Sequence, residues 1–327
     1  MTPTASPQLP SLESLWAGAR VLVTGGSGFL GQHVCERLAA SGATPLSVGR
    51  ADADLTDKAA TEALMDRLRP DVVVHCAVQG GGIGWMRQHP VASGRDNVLM
   101  NVHLLDAAAR SPGCTAFIGV SSACAYPRIC PVPFVEEHLW NGYPEPTNGP
   151  YALSKRIMMD LGRAWHQERP SGFLAVFPIL ANLYGPGDHI EPDRAHVVAA
   201  LMQRCIALPP EQPLTVWGTG TATREFLYVT DAAEGVLSML AWRSPQPLNI
   251  GTGIEVPIAD LARAVVHACR HPGGIAFDRE KPDGQPRKCL DVTRASTELG
   301  WTAPTTLADG LRHTVAWYRT ALAERAG

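Results

Sequence analysis

Short apolar runs alternate with stretches of helical periodicity along the first half of the chain. Residues 20–24, 45–48, 71–77, 116–120 and 173–177 are rich in Val, Leu, Ile and Phe, and read as buried strands. Between them apolar positions recur at helical spacing. One such stretch runs through Val34, Leu38 and Ala39, and another carries Asn97 and Asn101 past Leu104, Leu105 and Ala108. Pro150 opens a third, as suits a helix start. Strand, helix and strand in turn predict a parallel sheet covered on both faces. His75, inside an apolar strand, reads as a core histidine. Beyond Asn182 the character changes. His196 stands near the start of a predicted helix that reaches Arg204, residues 217–226 read as loop, and 281–288 are basic and turn-rich.

The first strand runs into Gly25, Gly28 and Gly31, spaced Gly-x-x-Gly-x-x-Gly, and then into a helix. Glycines there let the backbone turn sharply and approach a pyrophosphate, which sits on the helix N-terminus. After the second strand comes Arg50, where an acidic residue would suit a ribose 2′-hydroxyl. A guanidinium suits a 2′-phosphate better, so NADP(H) is the expected cofactor. The other possibility at this point is a solvent-facing Arg50 with Asp52 or Asp54 at the ribose. Asp57, before the next helix, is a candidate for the adenine edge, and Asn101 for ordering the cofactor's surroundings.

The candidate chemistry follows the 116–120 strand. Ser122 and Cys124 lie just beyond it, and if the strand continues they share one face. Tyr151 and Lys155 are four apart and share one face of a helix. An ammonium beside a phenol is expected to lower its pKa, and Ser122 can hold a carbonyl oxygen while that phenol protonates it. Such a trio suits hydride transfer to a ketone carbon with a proton to its oxygen.

Composition narrows the field. The chain has 327 residues, 45% hydrophobic and 18% charged, with net charge −3, an ordinary globular balance that points to neither nucleic acid nor an anionic membrane. No apolar run is long enough for a membrane span and no basic-then-apolar leader is present, so the cytoplasm is the default expectation. Eight cysteines are scattered without Cys-x-x-Cys spacing, so neither a structural metal nor a disulfide framework is expected.

With these motifs in view, the chain resembles the extended short-chain dehydrogenase/reductase family from about Val21 to Trp301. Within that family it is most similar to the branch that epimerises and reduces GDP-linked 4-keto-6-deoxy sugars. The discriminating stretches are 122–127, 145–151, 182–186, 195–198, 217–220, 224–227 and 281–288. The resemblance implies a Rossmann-type, doubly wound α/β sheet with a smaller C-terminal α/β substrate-binding lobe. Expected boundaries are a mobile tail over 1–18, a dinucleotide-binding domain over 19–182 to which 221–255 return, and a substrate lobe from 183–220 and 256–327. It implies a reductase triad of Ser122, Tyr151 and Lys155, with Cys124 as epimerisation base and His196 as epimerisation acid. Gly25, Gly28, Phe29, Leu30, Gly31, Arg50, Asp57, Ala77 and Asn101, with Tyr151 and Lys155, form the expected cofactor site. Asn182, Arg204, Trp217, Arg224 and Lys288 are expected to hold the nucleotide sugar. The family also implies a homodimer built on a four-helix bundle.

Three departures lie around the expected sugar pocket. Trp85-Met86 stand where the family has Ala-Asn, Ala181 where it has Thr, and Ala123 where it has a small polar residue. They leave open a heptose or dideoxy sugar and whether carbons 3 and 5 both epimerise. A nucleotide-sugar 4-epimerase with retained NAD and a non-catalytic NADPH-binding sensor or scaffold are the rival readings.

Overall fold

The computed structural model describes residues 9–169, 172–190, 195–281 and 283–326. Helix α1 (Leu12–Trp16) precedes β1 (Arg20–Thr24), α2 (Phe29–Ala40), β2 (Thr44–Val48), α3 (Lys58–Leu68) and β3 (Val72–His75). Helices α4 (Ile83–Gln88) and α5 (Pro90–Arg110) lead to β4 (Ala116–Gly119) and β5 (Ser121–Ser122). Helix α6 (Gly149–Glu168) leads to β6 (Leu174–Val176), β7 (Pro178–Leu180) and β8 (Asn182–Tyr184). Then follow α7 (Val197–Ala207), β9 (Leu214–Trp217), β10 (Thr223–Arg224), β11 (Phe226–Tyr228), α8 (Val229–Ser238) and β12 (Leu248–Ile250). The chain ends with β13 (Val256–Pro257), α9 (Ile258–Cys269), β14 (Ile275–Asp278) and α10 (Leu307–Ala326).

A five-stranded parallel sheet has the order β2-β1-β3-β4-β6. It does not end there. Ala116 faces Leu174 and Ser121 faces Ile179, so β5 and β7 continue β4 and β6 in the same register. Strand β12 then joins β7, extending the sheet by one more parallel strand. Helix α8 packs on α2, and α5 packs along α6. Strands β3 and β4 are buried along their whole length and β1 from Val21 onward, as expected of strands covered on both faces.

A second apolar core lies apart from this one. It gathers Val198, Leu201 and Met202 of α7, Leu214 and Val216 of β9, Leu261 and Val265 of α9, and Val315 and Tyr318 of α10. Strands β9 and β14 pair in parallel there, and β8 pairs with β11. Among the described residues no helix is long and apolar enough to cross a membrane.

Two expectations need correction. The 1–18 stretch was expected to be a mobile tail; its first eight residues lie outside the described ones, but Leu12–Trp16 is a docked helix. Ser11 caps it, Leu12 and Trp16 are buried, and Trp16 Nε1 donates to the Leu237 carbonyl at 3.2 Å. Two apolar residues four apart on one helix face outweigh the Pro- and Ser-rich surroundings. Residues 217–226, expected as loop, hold the end of β9, the whole of β10 and the start of β11.

One packing detail fixes where the catalytic helix lies. A Cβ on Gly162 of α6 would sit 2.2 Å from Phe177 Cζ, and one on Gly119 of β4 would sit 2.9 Å from the same ring. Phe177 is fully buried between them. The missing side chains bring α6 close to the sheet, with Ala152, Ser154, Lys155, Met158 and Met159 facing inward.

Candidate active site

The turn after β1 is shaped for a phosphate group. Gly25 has φ +68°, and a Cβ there would meet Ala77 backbone atoms at 2.8 Å. A Cβ on Gly31 would lie 2.0 Å from the Gly25 carbonyl oxygen, so the first turn of α2 sits directly on the glycine turn. Gly28 caps α2 without any side-chain hydrogen bond, which leaves the N–H groups around Phe29 and Leu30 to an anion. Arg50 is exposed just past β2, where Nη2 donates to Gln79 Oε1 at 2.7 Å. These features fit a dinucleotide whose diphosphate lies on α2 and whose 2′-phosphate meets Arg50.

A buried hydrogen-bond chain ties this turn to α6. His75 is held neutral, with burial pushing its pKa down to about 3. It therefore donates once, from Nε2 to Asn101 Oδ1 at 2.9 Å, and accepts the Thr24 hydroxyl at Nδ1 at 2.7 Å. Asn101 Nδ2 donates in turn to the Ser154 carbonyl at 3.0 Å. Asn101 is thus buried and braces α6 beside Lys155, with both ends of its amide engaged inside the protein. That differs from direct cofactor contact. Asp57 caps α3, its Oδ1 accepting from Ala60 N–H at 3.0 Å.

Ser122, Tyr151 and Lys155 come together as expected. Lys155 Nζ lies 5.8 Å from the Tyr151 ring centroid. Burial lowers the Lys155 pKa to about 8, against the opposing pull of Cys76. The phenol departs from expectation. Burial and the adjacent Cys124 raise its pKa above the ordinary value, and the neighbouring Ser122 hydroxyl offsets this only in part. At neutral pH Tyr151 therefore keeps its proton and is poised to give it.

Cys124 reaches the same spot by a different route from the one expected. The strand stops at Ser122, whose Oγ accepts from Cys124 N–H at 3.2 Å and caps a short 3₁₀ turn over 123–125. That turn, not strand alternation, aims the thiol. Burial would push the Cys124 thiol up; the Lys288 ammonium, with the polar groups of Ser122 and Asn148 nearby, overrides it and holds the pKa below the usual thiol value. Lys288 Nζ lies 3.3 Å from Sγ. His196 caps α7, and its Nδ1 lies 3.2 Å from Asp188 Oδ1. Burial pulls its pKa down, but the Asp188 carboxylate, helped by the charge on Cys124, lifts it above the ordinary value.

The remaining expected substrate contacts are spread over the rim. Arg224 Nη1 donates to the Thr223 and Gln285 carbonyls, both at 2.7 Å, and its charge is felt at Cys124. Arg204 is exposed two turns along α7 from His196. Trp217 is 63% exposed at the end of β9, with Lys281 Nζ 5.9 Å from its ring centroid. Asn182 Nδ2 donates to the Glu225 carbonyl at 2.8 Å and so ties β8 to β11. Sequence reasoning assigned no role to Asp188 or Asn148. Asp188 stands in a loop and Asn148 ends the short 3₁₀ turn before α6, where no periodicity marks a partner.

A parallel sheet with a glycine cradle, and a Ser-Tyr-Lys trio at the ends of its strands, define a dinucleotide-dependent enzyme acting on a carbonyl or carbinol. The chain belongs to the NAD dependent epimerase/dehydratase family, whose model matches residues 21–251. A probable GDP-L-fucose synthase 1 from Oryza sativa subsp. japonica is 33% identical over 305 residues, 92% of this chain and 92% of that protein. The GDP-L-fucose synthase of Escherichia coli (strain K12) is 32% identical, covering 91% of this chain and 96% of its own. The crystal structure of a GDP-L-fucose synthetase from Naegleria fowleri bound to NADP superposes with a TM-score of 0.85 at 27% identity, over 98% of each chain.

The Asp188–His196 contact makes a prediction. In Asp188→Asn the carboxylate charge is gone while burial still acts, so the His196 imidazole pKa falls by about one unit. NMR titration of the ring, assigned by comparison with His196→Gln, measures this; an unmoved pKa would remove Asp188 as the partner.

Proposed function

We propose that this chain is an NADPH-dependent epimerase/reductase of a GDP-linked 4-keto-6-deoxy sugar, with GDP-4-keto-6-deoxy-D-mannose as the preferred substrate. The observation that carries this reading is the thiol of Cys124 beside the hydroxyls of Ser122 and Tyr151. A reductase alone has no use for a thiol with a lowered pKa next to its carbonyl-holding serine. The GDP-L-fucose synthase relatives support the sugar, and the NADP in the Naegleria structure supports the cofactor.

The ketone at carbon 4 acidifies the protons on carbons 3 and 5, because the resulting carbanion delocalises onto its oxygen. Cys124 takes such a proton from one face. His196, whose pKa Asp188 raises, returns one from the other face and inverts the centre. Ser122 and Tyr151 hold the ketone oxygen throughout. When bound, NADPH supplies the hydride for carbon 4. Tyr151 then passes its phenolic proton to the carbonyl oxygen, beside the Lys155 ammonium. Gly25, Gly28 and Gly31 would hold the cofactor's diphosphate, and Arg50 its 2′-phosphate.

We infer further that two copies pair through α5 and α6. Ile157 and Leu161, one turn apart on α6, are left 40% and 37% exposed, a small apolar strip suited to a helix-to-helix contact.

Mixed with GDP-4-keto-6-deoxy-D-mannose, the protein should consume NADPH, followed by nicotinamide absorbance. Cys124→Ala should abolish solvent-deuterium exchange at carbons 3 and 5 while sparing cofactor binding. Tyr151→Phe should stop NADPH oxidation and leave exchange largely intact. Undiminished exchange in Cys124→Ala would place the base elsewhere. Light scattering should give twice the chain mass, and Ile157→Glu should halve it; a monomeric wild type would exclude the pairing.

A further inference from the structure

We propose that Lys288 is a positioning residue for Cys124: it keeps the sulfur ionised and aimed at the sugar, a role apart from contact with the substrate's diphosphate. The proposal rests on the reading of Cys124 as the base for carbons 3 and 5.

Lys288 is brought to the thiol by a segment held at four points. Gln285 O accepts from Arg224 Nη1 at 2.7 Å, and Pro286 O accepts from Thr223 N–H at 2.9 Å. Cys289 O accepts from Phe134 N–H at 2.8 Å, and Leu290 N–H donates to Glu225 Oε2 at 2.7 Å. Glu225 is itself buried and fixed by Gly253 N–H at 2.9 Å and Thr252 N–H at 2.6 Å. A lysine on a free surface loop would sample many rotamers. Here the backbone on both sides is tied down, so only the side chain's own freedom remains to be lost.

The neighbouring charges are otherwise employed. Arg287 is engaged by Glu255, with Nε 3.0 Å from Oε1. Arg224 faces Cys124 from β10, but its Nη1 is shared between two carbonyls. His196 faces the thiol from α7 and is drawn to Asp188; Tyr151 faces it from α6 and is neutral; Ser122 and Asn148 are uncharged neighbours. Of these groups, Lys288 is the cation in hydrogen-bond contact with Sγ, at 3.3 Å. A charge-assisted N⁺–H···S⁻ bond favours the thiolate, and a thiolate is what abstracts protons.

The step balances without further reagents. The sulfur lone pair forms an S–H bond as the C–H bond breaks, and the C–H electron pair moves through carbon 4 onto the ketone oxygen. The negative charge passes from the sulfur to the enolate oxygen, which Ser122 and Tyr151 hold. Lys288 keeps its own proton. It is therefore not an acid or base in the step, and its contribution appears in the fraction of Cys124 that is ionised.

The test needs no substrate. Alkylation of Cys124 by iodoacetamide, followed by peptide mass spectrometry across pH, gives the midpoint of thiolate formation in wild type, Lys288→Met and Lys288→Arg. Wild type should titrate below the ordinary thiol value of about 8.5. Lys288→Met should titrate about one pH unit or more higher, and Lys288→Arg should stay near wild type. An ordinary midpoint in wild type, or an identical one in Lys288→Met, overturns the proposal. NADPH binding verifies that each variant is folded. With GDP-4-keto-6-deoxy-D-mannose, Lys288→Met should slow deuterium exchange at neutral pH about tenfold and shift its acid limb upward, with little change in KM. A large rise in KM with an unmoved limb would instead make Lys288 a diphosphate ligand. If wild type exchanges no deuterium into the sugar, the functional reading fails while the alkylation result still decides the role of Lys288.

Discussion

The site depends on how closely α6 can approach the sheet. Phe177 fills the space that Gly162 and Gly119 leave, and the helix settles with Lys155 buried beneath Tyr151. Burying an aromatic ring of this size is worth about 1.5–3 kcal/mol. The chain Thr24–His75–Asn101–Ser154 then fixes the helix against the glycine turn. One packing arrangement thus sets the spacing between the dinucleotide cradle and the proton donor.

Within that frame, three titratable groups are pushed in different directions by their surroundings. Burial raises the Tyr151 phenol, Lys288 draws the Cys124 thiol down, and Asp188 lifts the His196 imidazole. Shifts in these directions suit a proton donor, a proton-abstracting thiol and a second proton donor, the roles that epimerisation next to a ketone and its reduction require. The two halves of the chemistry come from different parts of the chain. The reductase trio lies on the main sheet and α6. His196 comes from the second lobe, and Lys288 from the segment that follows β14.

Much of the frame was legible in the residues alone. The apolar runs gave parallel strands because those strands are covered on both faces, and the three glycines marked a turn that excludes any Cβ. Ser122, Tyr151 and Lys155 could be read from spacing, since a helix carries i and i+4 on one side. What failed did so for local reasons. The strand was expected to run on to Cys124, but Ser122 captures the next N–H group and starts a turn, as serines do where they compete with the ladder. Lys155 was expected to lower the Tyr151 phenol; burial and the adjacent Cys124 instead raise it. Asp188 stands in a loop, Asn148 in the turn before α6, and the Lys288–Cys124 contact joins residues 164 apart, a relation only the tertiary fold creates. Trp16 was missed because composition hid a two-residue apolar face.

The convergence of these groups on one sugar ketone is most directly tested by a crystal structure of Tyr151→Phe with NADP and the GDP-linked 4-keto sugar bound. The account predicts the ketone oxygen within hydrogen-bond distance of Ser122 Oγ, with Cys124 Sγ and the His196 imidazole on opposite faces of the ring. A ketone turned away from Ser122, or both groups on the same face, would contradict it.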